Sequence, residues 1–134
     1  MRHIQSTVLY RWFNDVWNQD DENAIDRLLA ADARAYGILR EDQPRGPEGF
    51  KGFFREFRSQ FHGIHVEVED VISQDGVESA RMTVTATHTE TGKQVIFPGI
   101  SMAYIQDGKI AQAWNSYDFL SMYQQLGQTL TPVP

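Results

Sequence analysis

The sequence predicts an α+β domain in which N-terminal helices pack on the concave face of a cone-shaped, curved antiparallel sheet. Apolar residues recur at helical spacing in the first half of the chain. The second half instead shows apolar runs and apolar–polar alternation, divided by Asp-Gly and Thr-Gly pairs that favour tight turns. Helices followed by consecutive hairpins are typical of a helix layer on one face of a meander. At 134 residues, the chain is expected to form a single domain over 1–134.

Three helices are predicted ahead of the sheet. The first spans 4–17, where apolar residues form one stripe, and the second spans 22–29, with Asp20 or Asp21 available as its cap. The third begins at Pro47, because a proline at the first helical position loses no hydrogen bond. This helix places five phenylalanines on one face: Phe50, Phe53, Phe54, Phe57 and Phe61. The stripe is expected to form core, and it also offers one wall for a ligand pocket.

A short strand at 33–38 and four longer strands are predicted. The longer strands are 64–74, 77–90, 94–106 and 109–119, and a short helix at 120–126 follows them. The apolar alternation breaks between Val68 and Val71, which predicts a β-bulge near Asp70. Pro98 lacks the N–H that a strand ladder needs, so an edge or a bulge is expected there. Both irregularities favour a curved sheet.

Composition excludes several classes of function. The chain has 18 acidic and 12 basic residues, and this net charge of −6 argues against nucleic acid or an anionic membrane as the main partner. With no cysteine, disulfides, thiol nucleophiles and iron–sulfur clusters are excluded. Because metal-ligand spacings and phosphate-binding loops are missing, neither a metal nor a nucleotide cofactor is expected. No targeting signal or membrane-length apolar run is visible, so a cytoplasmic protein is the default expectation.

Two polar residues, His88 and Asp118, are candidates for acid–base chemistry. Alternation in the strand 77–90 puts His88 in phase with the buried face, at its end. There it is either a structural histidine at the rim or a donor at a pocket mouth. Asp118 lies between two aromatic residues at the end of the last strand. It is either the N-cap of the following helix or a desolvated carboxylate whose basicity burial would raise. The residues alone leave both alternatives open.

An apolar ligand pocket is expected, with walls drawn from both halves of the chain. Asp118 shares its strand face with Trp114, so this face is expected to line the pocket if Asp118 is functional. The expected substrate-binding residues are Trp17, Phe53, Phe57, Met102, Tyr104 and Trp114. The last two strands carry apolar side chains on both faces, so the face turned away from the pocket is expected to form a homodimer interface.

Several short segments occur together in an order that is similar to one known family. They are Val16-Trp17-Asn18, Gly46-Pro47-Glu48-Gly49-Phe50, Thr87-His88-Thr89, Asp107-Gly108-Lys109-Ile110, Trp114-Asn115-Ser116-Tyr117-Asp118 and Gln124-Gln125-Leu126-Gly127. In order and spacing they resemble the SnoaL-like polyketide cyclases, a branch of the nuclear-transport-factor-2-like superfamily. The resemblance covers nearly the whole chain. It departs at the Thr-His-Thr hairpin, where Glu90 alone precedes Thr91-Gly92, so the hairpin is short and the cavity mouth is reshaped.

The resemblance implies an α+β cone with a deep apolar cavity, no cofactor, and a homodimer formed through the sheet. It also implies that Asp118 matches an aspartate that acts as acid and base in an intramolecular aldol condensation. Ketosteroid-isomerase-like enzymes belong to the same superfamily. The leading hypothesis is therefore a cofactor-independent enzyme for a hydrophobic carbonyl compound. In it Asp118 removes a proton, and His88 or Tyr104 stabilises the enolate. The alternative is a non-catalytic module that uses the same cavity for binding or interaction.

Overall fold

The computed structural model describes residues 4–40 and 42–133. Five strands form one sheet: β1 (Leu29–Tyr36), β2 (Phe61–Gln74), β3 (Val77–His88), β4 (Gln94–Gln106) and β5 (Lys109–Tyr117). Their order across the sheet is β1-β5-β4-β3-β2. Strands β2 to β5 form the predicted antiparallel meander, and β1 adds to β5 in parallel. The predicted α+β class with a curved sheet is confirmed.

The helices match the predicted segments. They are a 3₁₀ turn (Ile4–Ser6), α1 (Val8–Arg11), a π-helical segment (Trp12–Asn18), α2 (Asn23–Leu28), α3 (Gly46–Gln60) and α4 (Phe119–Gln125). The π-helical winding is a feature that the sequence did not predict. Its hydrogen bonds join residues five apart. Trp12 and Trp17 are both buried in this segment and both contact Phe50. In the described residues, no helix has the length and apolarity to cross a membrane.

The core lies between the helices and the sheet face that carries the alternate buried residues. Trp17 is its central ring, packed against four phenylalanines of α3 at centroid distances of 4.9 to 6.3 Å. Phe61 opens β2 rather than closing α3, yet its ring stacks on Phe57 at 4.8 Å and stays in the same cluster. The predicted phenylalanine stripe therefore does face the sheet.

The two predicted irregularities of the sheet have different outcomes. The pairing of β2 with β3 shifts register between Val68 and Asp70, so the bulge near Asp70 is confirmed. The expectation of an edge or a bulge at Pro98 is wrong, because β4 is a central strand and pairs regularly with β3 there. The proline is tolerated for a local reason. The Pro98 carbonyl accepts the N–H of Asp118 at 3.1 Å, and Asp118 lies just beyond the end of β5. The residue opposite Pro98 is therefore outside the strand, and no residue of β5 needs the N–H that proline lacks.

Candidate functional site

An apolar cavity of about 50 Å³ lies between the sheet and the helix layer. One water molecule needs on the order of 10–15 Å³, so the space holds only a few waters or a small fragment. Its aromatic walls are Trp12, Phe13, Trp17, Phe50, Phe53, Phe57, Phe97, Tyr117 and Phe119. Helix α3 and the π-helical segment supply one side of the wall, and β4 and β5 supply the other.

Three polar side chains of the cavity wall lie at neighbouring positions of the sheet, and we call them the polar end of the cavity: Ser101 on β4 and Asn115 and Tyr117 on β5. The Ser101 hydroxyl donates to Asn115 Oδ1 at 3.0 Å. Asn115 Nδ2 donates to the carbonyl of Tyr36 on β1 at 3.0 Å. These two bonds hold the amide in one orientation, with one of its two N–H groups committed to Tyr36.

Tyr117 is the ionisable side chain of the cavity wall. Burial raises the pKa of the Tyr117 hydroxyl above its usual value of about 10, because the apolar walls disfavour the phenolate. The hydroxyl is therefore protonated at neutral pH and available as a donor. It has no hydrogen-bond partner among the residues that the structure describes. A carbonyl oxygen placed in this part of the cavity would supply one.

Gly99 sets the position of the Tyr117 ring. The two residues are paired across β4 and β5. A Cβ at Gly99 would overlap Cδ1 and Cε1 of Tyr117, so the ring lies directly over the glycine. Sequence reasoning missed this site. The available signal was Gly99 itself, since a glycine inside a strand often marks a close approach by a neighbouring group.

Three of the predicted pocket residues line the cavity. Trp17, Phe53 and Phe57 are all in its wall. They lie together because Trp17 contacts both phenylalanine rings, at 6.3 and 5.8 Å. Their expected contact with a ligand stays a prediction.

Three others lie on the opposite face of the sheet. Met102, Tyr104 and Trp114 are 40%, 44% and 37% exposed, and none lines the cavity. Placing them in the pocket was wrong. Side chains alternate along a strand, and the residues of β5 that face the cavity are Asn115 and Tyr117, one position out of phase with Trp114. Trp114 instead packs against Tyr104, at 4.9 Å between ring centroids.

Asp118 follows the parity of Trp114 and is exposed outside the cavity. It is the N-cap of α4, where its Oδ1 accepts the N–H of Ser121 at 2.9 Å. The expectation that this carboxylate lies desolvated in the pocket is wrong, and the alternative, a helix cap, is what the structure shows. Asp118 is therefore not part of the cavity wall.

His88, the other acid–base candidate, is also absent from the cavity wall. It ends β3, half-buried, with Nδ1 2.9 Å from Oγ1 of Thr91 in the β3–β4 turn and its ring 5.4 Å from that of Phe61. The short β3–β4 turn predicted around Glu90 therefore holds the His88 ring through Thr91. No acid or base from either candidate position reaches the polar end of the cavity.

A buried carboxylate that sequence reasoning missed lies elsewhere. Glu78 on β3 is 5% exposed, and its oxygens accept the N–H of Leu9 at 2.8 Å and of Val8 at 3.3 Å. The hydroxyl of Ser73 donates to it at 3.3 Å. Because Val8 and Leu9 begin α1, Glu78 caps that helix from the sheet and positions the segment that carries the cavity tryptophans.

A second depression of about 200 Å³ lies outside the cavity, between α3 and α4. It shares Phe53, Phe57 and Phe119 with the cavity, so these rings form a common wall. Its other lining residues are Glu56, Gln60, Phe61, Met122 and Tyr123. Across the residues described, no group of three or more potential ligands is arranged to hold a metal ion.

Comparison with known proteins identifies one family. The family model for SnoaL-like polyketide cyclases matches residues 7–126. TsrD from Streptomyces laurentii superposes with a TM-score of 0.81 at 22% identity, covering 95% of this chain and 97% of that one. A proposed polyketide cyclase from Bacillus cereus gives 0.77 at 29% identity, with coverage of 90% and 78%. IdmH, a proposed polyketide cyclase from Streptomyces antibioticus, gives 0.79 at 20%, with coverage of 95% and 100%. No curated protein matches the sequence.

Proposed function

This chain belongs to the SnoaL-like polyketide cyclase family, and from that premise we propose that it binds an apolar small molecule bearing a carbonyl group and promotes its intramolecular cyclisation. The observation that carries the proposal is the position of Tyr117. Tyr117, whose hydroxyl is protonated at neutral pH, is one of three polar side chains in a cavity wall that is otherwise apolar. Such a site favours a ligand with one hydrogen-bond acceptor and a hydrophobic body.

The proposed reaction is an aldol ring closure. The α C–H bond of one carbonyl group breaks and its proton leaves. The α carbon then bonds to the carbon of the second carbonyl group, whose C=O π electrons move to its oxygen, and that oxygen takes up a proton from water. Negative charge develops on oxygen as this happens, and the Tyr117 O–H donates to that oxygen. The apolar walls lower the local dielectric constant, so this hydrogen bond is stronger than it would be in bulk solution.

The aromatic wall supplies the second contribution. Rings such as Trp17 in the cavity and Phe53, which lines both the cavity and the depression beside it, restrict a flexible chain that occupies both spaces and hold its two carbonyl groups close together, which lowers the entropic part of the barrier. The cavity wall contains no carboxylate or imidazole among the described residues. The α proton is therefore proposed to pass to water rather than to a side chain, and Asp118 has no part in the step.

The test uses a linear diketone whose two carbonyl groups are separated by three methylene groups. Ring closure and loss of water convert it to a cyclic enone, which is followed by its ultraviolet absorbance. We expect the protein to accelerate closure and Tyr117→Phe to lose on the order of 10²-fold of that acceleration, the usual effect of removing one donor to a developing oxyanion. Tyr104→Phe removes an exposed hydroxyl from the other face and is the matched control. Equal rates for wild type and Tyr117→Phe would reject this role.

A second function, ligand binding without turnover, is favoured because the described residues of the cavity wall include no carboxylate or imidazole. The same experiment separates the two. If the diketone binds with an affinity that depends on Tyr117 but no enone forms, the protein is a binding module.

We also propose a second copy of the chain as partner. The outer face of the sheet carries exposed apolar side chains: Ile72, Ile96, Ile100, Met102, Tyr104 and Trp114. An apolar face of this kind is typical of a protein–protein interface. Light scattering after size exclusion should give twice the 15.4 kDa chain mass, and Ile100→Asp should reduce it to one chain. A single-chain mass for the wild type at micromolar concentration argues against the dimer.

A further inference from the structure

The polar groups and the larger space of the candidate site lie on opposite sides of one wall. The inner cavity has the Tyr117 hydroxyl but only about 50 Å³, whereas the outer depression has about 200 Å³. Pockets for drug-sized molecules are usually several hundred Å³. A ligand larger than a small fragment that reaches Tyr117 must therefore extend past the shared phenylalanines.

We propose that the ligand is an elongated, neutral ketone whose carbonyl end lies at Tyr117 and whose apolar tail passes Phe119 into the outer depression, so that Phe119 determines which tails are accepted. This inference rests on the proposed function, because it assumes that the carbonyl group binds at Tyr117.

Phe119 is singled out among the three shared rings by its position. Its centroid is 5.5 Å from that of Tyr117 and 5.8 Å from that of Phe97, so it contacts two rings of the inner cavity, and it also lines the outer depression. Phe53 and Phe57 stack on each other at 6.0 Å, and both rings pack on Trp17. These contacts fix the two rings on the core side of the fifteen-residue helix α3. Phe119 is the first residue of the seven-residue α4. It is thus the ring whose size can change with least damage to the core.

The depression also indicates the chemistry of the tail. Its floor is formed by rings and by the thioether of Met122, which suits a hydrocarbon chain. Its rim carries the exposed carboxylate of Glu56 and the amide of Gln60. The Glu56 charge repels an anionic tail end, and the net charge of −6 acts in the same direction. A neutral tail is therefore preferred over a carboxylate-terminated one.

The experiment measures the affinity of straight-chain methyl ketones of increasing length by isothermal titration calorimetry. In the wild type we expect affinity to rise about fourfold for each added methylene group, well beyond the length that fills the inner cavity. Phe119→Trp should abolish the gain in affinity for long ketones, because the larger ring would close the route into the outer depression. A long ketone that ends in a carboxylate should bind more weakly than its neutral counterpart, and Glu56→Gln should reduce that difference.

A matched pair of exposed α4 residues tests the tail without altering the wall. Tyr123 lines the depression and Leu120 does not. Tyr123→Ala should weaken long ketones several-fold, whereas Leu120→Ala should have no effect. This pair decides the question if Phe119→Trp fails to fold.

The outcomes also distinguish the two proposals. If affinity stops rising at the same short length in every variant, the tail does not reach the depression and this inference is overturned, even though Tyr117→Phe still weakens short ketones. If Tyr117→Phe leaves short ketones unaffected, the proposed function fails instead.

Discussion

The side-chain amide of Gln125 makes two hydrogen bonds to the backbone of Ile96. Its Oε1 accepts the Ile96 N–H at 2.9 Å, and its Nε2 donates to the Ile96 carbonyl at 2.8 Å. Strand β5 ends at Tyr117, so the amide takes the place of a strand along this part of β4 and attaches α4 there. The amide of Asn18 does the same for Val66 on the edge strand β2, at 2.7 and 2.9 Å.

Replacing Gln125 should therefore loosen α4. Gln125→Ala removes both bonds and leaves water as the only partner for Ile96, and we expect a loss of about 1–2 kcal/mol in the free energy of unfolding. Urea unfolding gives the loss, and hydrogen exchange should show faster exchange in α4. The neighbouring Gln124 is exposed, and Gln124→Ala is the control that should change neither. Equal stability of the two variants would mean that the amide pair does not hold the helix.

Gly99→Ala should destabilise the protein by about 1–3 kcal/mol, the range for overpacking, because the new methyl group would overlap the Tyr117 ring. In the Tyr117→Ala background the same change should cost much less, giving a measurable coupling energy. Gly52→Ala is the control, since nothing lies within 4 Å of its added Cβ in α3. It should stabilise the helix by roughly 0.4–1 kcal/mol. Additive effects of Gly99→Ala and Tyr117→Ala would contradict this contact.

Asp118→Asn should leave both stability and ketone binding close to wild type. Asparagine accepts the Ser121 N–H about as well as aspartate does, and the residue lies outside the cavity. Asp118→Ala should lose about 0.5–2 kcal/mol of unfolding free energy, since no side chain then caps α4. Thermal unfolding and the diketone assay measure the two effects. A large loss of cyclisation in a stably folded Asp118→Asn would restore Asp118 as the catalytic base.

Glu78→Gln should destabilise the fold by about 1–3 kcal/mol. One of the two acceptor oxygens becomes an NH₂ group, which faces a backbone N–H of Val8 or Leu9 instead of accepting from it. Since α1 leads into the π-helical segment, the fluorescence of the buried Trp12 and Trp17 should change as well. Glu90→Gln, at an exposed turn residue, is the matched control for the loss of one negative charge.

The raised pKa of Tyr117 predicts a loss of stability at alkaline pH. The unfolded chain releases this proton at a pH of about 10, whereas the folded protein retains it to a higher pH. The stabilisation is thus complete below a pH of about 10 and is lost as the pH rises above that value. Urea unfolding at increasing pH should show a steeper decline for the wild type than for Tyr117→Phe. If the stability of the wild type and of Tyr117→Phe declined in parallel, the hydroxyl would not be buried. Tyr104→Phe is the control for the loss of a tyrosine.

Local chemistry was sufficient to predict the hairpins. Asp75 and Gly76 both adopt positive φ, as do Asp107 and Gly108, which is the conformation that a two-residue hairpin turn needs. Asp and Gly tolerate that conformation, so turn positions and hence strand limits could be read from the residues themselves. The order of short motifs along the chain was likewise sufficient to identify the family.

Which face of each strand meets the cavity was decided only by the tertiary structure. Alternation divides β5 into two sets of side chains, but both sets contain apolar residues, so the sequence did not say which set is inside. The register with β4 and the helix layer place Asn115 and Tyr117 inward, and this turns Trp114 and Asp118 outward. A one-residue difference in phase exchanges the two faces. The sequence by itself therefore determined the fold and the presence of a cavity, whereas strand pairing and helix packing determined which side chains line it.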